Sequence, residues 1–345
     1  MSDSSSVTAQ SSGQPSTGLM TAGVGPPANW VTPPTDGEVI TSEATGNTYT
    51  MGQKIGEGHF GLVYSCIDVW NNSLAAKVLK PLAPKENVRA AAVAELDKLI
   101  QLRHPHITYV FDAFEFRDTF YIITERCHCP LTNLFQLDQF DGLVWLKPIS
   151  RCLLQAVHHI HLHQYVHQDI HVGNVFAAFA KDEMNAQDPG AIQFKLGDLG
   201  VAKLFSEIDA TNTRAMWMLP PEVLEPSEFG PLDHRIDIYH CGLLFLHLAH
   251  GRELRFTPEE IKDGSPREVA LQLPAPLNFA LEKALRRHAQ YRTASAMELW
   301  RDLNSPAPPC LPEPVQLQLE APAAFERAEE QPVVASAPTS TGTAE

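Results

Sequence analysis

In the stretch YVHQDIHVGN, residues 165 to 174, Asp169 follows His167 by two residues and precedes Asn174 by five. A carboxylate can accept the proton of a hydroxyl nucleophile, and an amide oxygen five residues on can coordinate a divalent cation. Asp198, in FKLGDLG, offers a second oxygen ligand just after a strand-like run. A lone Asp in a glycine-containing loop is usually a turn residue, so these groups gain meaning only from what accompanies them. Upstream, IGEGHFGLV places Gly56, Gly58 and Gly61 between two β-like runs. Missing side chains there would let backbone amides approach a phosphate, although such glycines also serve ordinary hairpins. A Rossmann site is disfavoured, because it needs a helix immediately after the glycines.

Lys77, in SLAAKVLK, is the cation of the set. Strand alternation puts Ala75, Lys77 and Leu79 on one face and Leu74, Ala76 and Val78 on the other, so both faces are apolar. A lysine in that setting either escapes at an edge or meets an acid. The following helix offers one. Val88, Ala92, Glu95, Leu99 and Leu102 step by four, three, four and three, which sets Glu95 inside the apolar stripe, whereas Glu86 and Asp97 belong to the wet face. Glu95 either snorkels at the edge of that stripe or pairs with Lys77.

The elements that must position these groups follow from periodicity. Strands are expected in TYTMGQKIGEG, GLVYSCIDVW, SLAAKVLK, ITYVFDAFEF and TFYIITE, with a helix over about 84 to 103 stopped by HPH. Beyond residue 127 the pattern is mainly helical, at 131 to 138, 145 to 164, 236 to 250, 275 to 288 and 293 to 303. The reading is an α+β chain: a five-stranded sheet lobe with one helix (48–127) and a larger helical lobe (128–303). Residues 1–47, rich in Ser, Thr, Gly and Pro, are expected to be a disordered tail. Residues 304–345, rich in Pro, Ala and Glu, read as a second flexible tail with a short docking helix at Val315 to Arg327. The tails are expected to offer docking segments to partners.

Composition limits the partners. A formal net charge of −15 opposes attraction to nucleic acid and anionic membranes. The longest apolar run, CGLLFLHLAH, is too short to span a bilayer. Six cysteines without framework spacing fit free thiols in a reducing, cytoplasmic setting.

Taken in order, these motifs resemble the protein kinase superfamily across residues 48 to 303. GEGHFGLV looks like its glycine loop, Lys77 and Glu95 its strand lysine and helix partner, HQDIHVGN its catalytic loop and DLG its metal-binding triplet. PPE at Pro220 to Glu222 looks like the end of the activation segment, Asp237 the acid of the large buried helix, and Arg292 the partner of Glu222. The resemblance implies a bilobal fold and an ATP-dependent serine/threonine protein kinase acting on a protein substrate. Ile55, Gly56, Gly58, Gly61, Val63, Ala75 and Lys77 would surround the nucleotide. Thr124 takes the gatekeeper position, and Glu125 and Cys127 offer hinge backbone groups to adenine. Asn174 and Asp198 would hold Mg²⁺ (or Mn²⁺), with Asp169, Lys77, Glu95 and His171 as catalytic groups. The alternatives are a catalytically weak kinase-like scaffold and, less in keeping with PPE, Asp237 and Arg292, a small-molecule phosphotransferase of the aminoglycoside type.

Departures from the family pattern carry their own expectations. Gln168 replaces the usual arginine, a neutral amide where a phosphate-gripping cation is common, so activity should not depend on phosphorylation of Ser206, Thr211 or Thr213. His171 replaces the lysine of serine/threonine kinases, Ala215 their supporting threonine, and Leu199 the usual phenylalanine. AKDEMNAQDPG, between Asn174 and Asp198, reads as a polar insertion in a hairpin. His159 and His163 share a helix face, but no thiol or acid completes a metal set, and Cys127 and Cys129 lack a second ligand pair. His167 reads as a packed core histidine.

Overall fold

The runs read as strands do form an antiparallel sheet in this computed structural model, which describes residues 32–58, 61–80, 85–137, 140–180, 191–208 and 218–305. The small lobe comprises β1 (Val39–Thr41), β2 (Thr48–Glu57), β3 (Gly61–Asp68), β4 (Ser73–Leu79), α1 (Lys85–Gln101), β5 (Val110–Phe116) and β6 (Thr119–Glu125), in sheet order β1-β2-β3-β4-β6-β5. It has six strands, not five. Residues 32–47, assigned from composition to the tail, contribute β1, which pairs Val39 with Thr50 and Thr41 with Thr48. Ile40 is buried, and the segment is tied down by Thr45 and Tyr49, whose hydroxyls both donate to Asp112 Oδ2 at 2.7 and 2.9 Å. These anchors come from residues 63 and 67 positions away, so local composition could not signal them.

One face of the sheet buries Tyr49, Met51, Tyr64, Leu74, Ala76, Val78, Phe114 and Tyr121. Phe114 stacks on both Tyr49 and Tyr121, with ring centroids 5.9 and 5.6 Å apart. Burial of each such side chain contributes roughly 1.5–3 kcal/mol before entropy is charged against it. The opposite face of β4 turns toward α1. There Ala92, Glu95, Leu99 and Leu102 are buried and Asp97 is exposed, as the stripe predicts, while the side chains of Glu86 and Val88 lie outside the described set.

The large lobe follows with β7 (Cys129–Pro130), α2 (Leu131–Leu134), α3 (Gly142–Leu162), β8 (Tyr165–Val166), β9 (Val175–Ala180), β10 (Ala191–Leu196) and β11 (Lys203–Leu204). Then come α4 (Pro221–Leu224), α5 (Pro226–Phe229), α6 (Arg235–Ala249), α7 (Pro258–Asp263), α8 (Ser265–Leu271), α9 (Leu277–Ala284) and α10 (Ala296–Asn304). α3 begins three residues earlier than expected because Asp141 caps it, accepting from the N–H groups of Leu143 and Val144. Residues Ile236 to Leu248 of α6 are all buried, the mark of a helix enclosed on every side. The lobes join where Ile107 bridges Leu196 in parallel, with Leu196 N–H donating to His106 O at 2.8 Å. The expected helix at 315 to 327, residues 181–190 of the polar insertion, Thr211, Thr213 and Ala215 lie outside the described residues.

Candidate active site

β4 delivers Lys77 between two acids. Its Nζ donates to Glu95 Oε1 of α1 at 2.7 Å and to Asp198 Oδ1 at 3.0 Å, with the Lys77 and Glu95 side chains only 16% and 8% exposed. Burial alone would lower the ammonium's pKa, but the charges of Glu95 and Asp198 hold it above the ordinary lysine value. For Asp198, burial pushes the carboxyl up and the Lys77 cation outweighs it, leaving the group below the usual carboxylate range. Asp198 adopts left-handed backbone (φ 57°) and caps the single turn Leu199–Val201 through Gly200 N–H. Of the two readings open for Glu95, the geometry is that of a pair.

The loop at 167–174 is fixed from beneath by α6. Fully buried Asp237 accepts the N–H of His167 at Oδ2 and of Gln168 at Oδ1, each at 2.8 Å, and His161 Nε2 lies 2.9 Å from Oδ2. That pair of bonds holds Gln168 at φ 67°, an uncommon conformation for a side chain of its size. His167 is buried as expected, its Nε2 3.1 Å from Gly197 O and its Nδ1 accepting from Asp169 N–H at 3.3 Å. Next in line, Asn174 Nδ2 donates to Asp169 O at 2.9 Å and to Asp169 Oδ2 at 3.1 Å. Asn174 O in turn accepts from Gly197 N–H at 2.9 Å, which locks the loop to the DLG triplet. His171 Nε2 stands 3.6 Å from Asp169 Oδ2. Burial works to raise the Asp169 pKa, but His171, then His167 and His240, pull it down to about 2, so the carboxylate is charged across the neutral range.

The glycine segment closes over β4. Gly58 N–H donates to Gly61 O at 2.9 Å, and a Cβ on Gly61 would come within 2.8 Å of Val78 O, so only glycine fits. Gly56 pairs with Val63, Val63 with Lys77 and Ala75 with Thr124 in the sheet register, while Ile55 is half exposed. At the lobe junction Glu125 uses its N–H on Tyr109 O and its carboxylate on Lys195 Nζ, 2.9 Å away, and on Tyr109 N–H. Cys127 is partly buried, and burial raises its thiol pKa to about 12. Its own N–H and C=O make no backbone hydrogen bond among the described residues. The structure thus gathers Lys77, Glu95 and Asp198 at one point and Asp169, Asn174 and His171 at another, with Gly197 joining the two.

Three contributors escaped the sequence reading. Lys80 Nζ binds Glu57 Oε1 at 2.7 Å and Gly58 O at 2.9 Å, holding the glycine segment down; a second lysine three residues after Lys77 was the available signal. Lys195 and His161 support the junction and Asp237 across 70 and 76 positions, and no local pattern marks either. Gln168 is buried and donates to Val201 O at 3.3 Å. Arg292 and Glu222 form a fully buried ion pair. His159 lies against His163 and His104, with centroids 4.4 and 4.9 Å apart, yet among the described residues no three His, Cys, Asp or Glu side chains are arranged to hold a metal ion.

Divalent cation and triphosphate both suit the donors present. The Asn174 amide nitrogen is spent on Asp169, which turns its oxygen outward, and Asp198 Oδ1 is spent on Lys77 and Gly200, which leaves Oδ2. Two hard oxygen donors beside a lysine and a glycine turn are groups of the types that can hold a divalent cation and a phosphate.

Comparison with known sequences finds a match to the model of the protein kinase domain over residues 49–299. The chain is 26% identical over 261 residues to serine/threonine-protein kinase 10 of Danio rerio, covering 71% of this chain and 26% of that protein. It is 26% identical to cyclin-dependent kinase 2 of Caenorhabditis elegans over 59% of this chain and 54% of that one. Against serine/threonine-protein kinase TAO2 of Xenopus laevis the identity is 26%, over 57% and 18%. The chain therefore spans between about a fifth and a half of the length of these relatives.

Proposed function

The chain belongs to the protein kinase family, and we propose that it transfers the γ-phosphoryl group of ATP to serine or threonine hydroxyls of protein substrates. The observation that carries this reading is the linked arrangement of Lys77, Glu95 and Asp198 with Asp169 and Asn174. Lys77, held by Glu95, would contact the α and β phosphates beneath the glycine segment. Asn174 Oδ1 and the Asp198 carboxylate would hold Mg²⁺ or Mn²⁺, which when bound neutralises phosphate charge. Asp169, ionised and steadied by Asn174, would orient the acceptor hydroxyl and take its proton. Thr124 and the backbone of Glu125 and Cys127 would face the adenine.

Serine/threonine preference is supported by the similarity to serine/threonine-protein kinases 10 and TAO2. The Ser/Thr-rich amino-terminal segment is a suitable target for the chain's own activity, and the location we propose is the cytoplasm. No helix among the described residues is long and apolar enough to cross a membrane. The test is incubation of purified protein with labelled ATP and Mg²⁺ beside an Asp169→Ala variant, followed by identification of the phosphoamino acids. Phosphoserine or phosphothreonine only with the unaltered protein supports the reading. Equal labelling by both proteins, or none by either, overturns it in favour of the scaffold.

A further inference from the structure

Three rings from distant parts of the chain meet beside the buried Asp237: Phe205 of the segment that follows DLG, His161 near the end of α3, and His234 just before α6. Phe205 and His234 stack face to face, with centroids 5.1 Å apart and 13° between the planes. His161 meets both edge-on, at 5.9 Å and 73° from Phe205 and at 5.2 Å and 79° from His234. Each contact is of the stacked or edge-to-face kind that aromatic rings favour. Both histidines are anchored in turn: His161 Nε2 lies 2.9 Å from Asp237 Oδ2, the oxygen that accepts His167 N–H, and His234 Nε2 lies 2.9 Å from Ala294 O. The backbone brings Phe205 to this place. β11 pairs Lys203 with Val166 and Leu204 with Tyr165 of β8, and Phe205 N–H continues the ladder to Gln164 O at 2.8 Å.

Where the loop's usual arginine would stand, the Gln168 amide donates to Val201 O at 3.3 Å, and an amide offers a phosphate no charged partner. The segment after DLG is nevertheless fixed at two points, Val201 through Gln168 and Phe205 through the two histidine rings. We propose that Phe205 is a positioning residue, an aromatic clamp on His161 and His234 that sets the activation segment, and with it the seat of the protein substrate, without a phosphate. This rests on the kinase reading above. The path from the clamp to the chemistry is short. Phe205 touches His161, His161 meets Asp237, and Asp237 holds the N–H groups of His167 and Gln168, the two residues before Asp169. Lys77, Glu95 and Asp198 owe none of their bonds to the three rings, so the clamp serves the acceptor side of the cleft and not the nucleotide side.

The experiment follows transfer from labelled ATP to the chain itself and to histone H1, a basic acceptor suited to a chain of net charge −15. The full chain and its variants are first treated with phosphatase, which is then removed. Phe205→Ala should slow transfer to both acceptors roughly 10- to 100-fold, the loss expected when positioned groups shift by about 1 Å, while ADP affinity by calorimetry stays unchanged. Phe205→Tyr and His234→Phe keep the rings and should keep transfer near that of the unaltered chain. His234→Ala should be slow as well, and the double alanine variant should be no slower than the slower single one, because both changes remove one contact. Hydrogen exchange over residues 202–208 should quicken in Phe205→Ala and not in Phe205→Tyr. Full transfer by Phe205→Ala, an additive double variant, or loss of the unaltered chain's transfer on phosphatase treatment would overturn the clamp and leave the kinase reading standing. No transfer to either acceptor by the unaltered chain, before or after that treatment, would overturn the kinase reading and the clamp together.

Discussion

Replacing Asp237 with asparagine should loosen the catalytic loop and destabilise the fold in a pH-dependent way. The carboxylate has three donors: His167 N–H and His161 Nε2 at Oδ2, and Gln168 N–H at Oδ1, all within 2.8 to 2.9 Å and fully buried. An amide keeps one acceptor. If its oxygen serves His167 and His161, its NH₂ faces the N–H of Gln168, donor against donor. Losing one charge-assisted bond and orphaning one buried N–H together cost about 3–5 kcal/mol, a large part of a typical domain's stability. Burial tends to raise the Asp237 pKa, but the His161 bond and charge, with His167, bring it from 3.8 to about 2. A depressed carboxylate stabilises the folded state above its unfolded pKa, and that contribution fades as pH falls through the folded value. At 1.36 kcal/mol per pH unit the contribution is about 2 kcal/mol. The stability gap between Asp237→Asn and the unaltered chain, from urea unfolding, should therefore be full at pH 7 and begin to narrow as pH drops below about 4. Because the same bonds hold Gln168 and hence Asp169, kcat should fall by about 100-fold, as expected for a displacement near 1 Å. A gap under about 1 kcal/mol with unchanged kcat would refute the reasoning.

Three other outcomes follow from the site. Lys77→Met strips a buried Glu95 of its cation, so denaturation should reveal a loss of about 3 kcal/mol together with weakened ADP binding; unchanged stability would mean the pair is not buried in solution. Since Gln168 is committed to Val201 O, the triple change Ser206→Ala, Thr211→Ala, Thr213→Ala should leave transfer activity intact, and a large loss would show that a phosphate is needed. With its thiol pushed up to about 12 by burial, Cys127 should be alkylated by iodoacetamide about 10³-fold more slowly than an ordinary thiol at pH 7.5. Rapid labelling at that residue, read by peptide mass spectrometry, would contradict the burial.

Much of this architecture was legible where residue type and period agree. Strand alternation around Lys77 and the stripe around Glu95 each pointed inward, and two charges forced into apolar surroundings have few stable arrangements other than with each other. The order of glycine turn, lysine, catalytic loop and DLG carried the family resemblance. What stayed hidden depends on distant residues. β1 is three residues long and pairs with β2, and Thr45 just after it donates to Asp112, so a Ser/Thr-rich segment passed for a tail. His161, Lys195 and Lys80 act across folds of the chain, through partners that no window of sequence contains.

Single-turnover transfer by Asp169→Asn, run beside calorimetry of ATP and Mg²⁺ binding, tests the central claim most directly. The asparagine oxygen can still accept from Asn174 Nδ2, so the loop and the nucleotide contacts should survive. The account predicts a rate lower by about 10²- to 10⁴-fold with ATP affinity unchanged. An unchanged rate, or a loss explained wholly by weaker ATP binding, would contradict it.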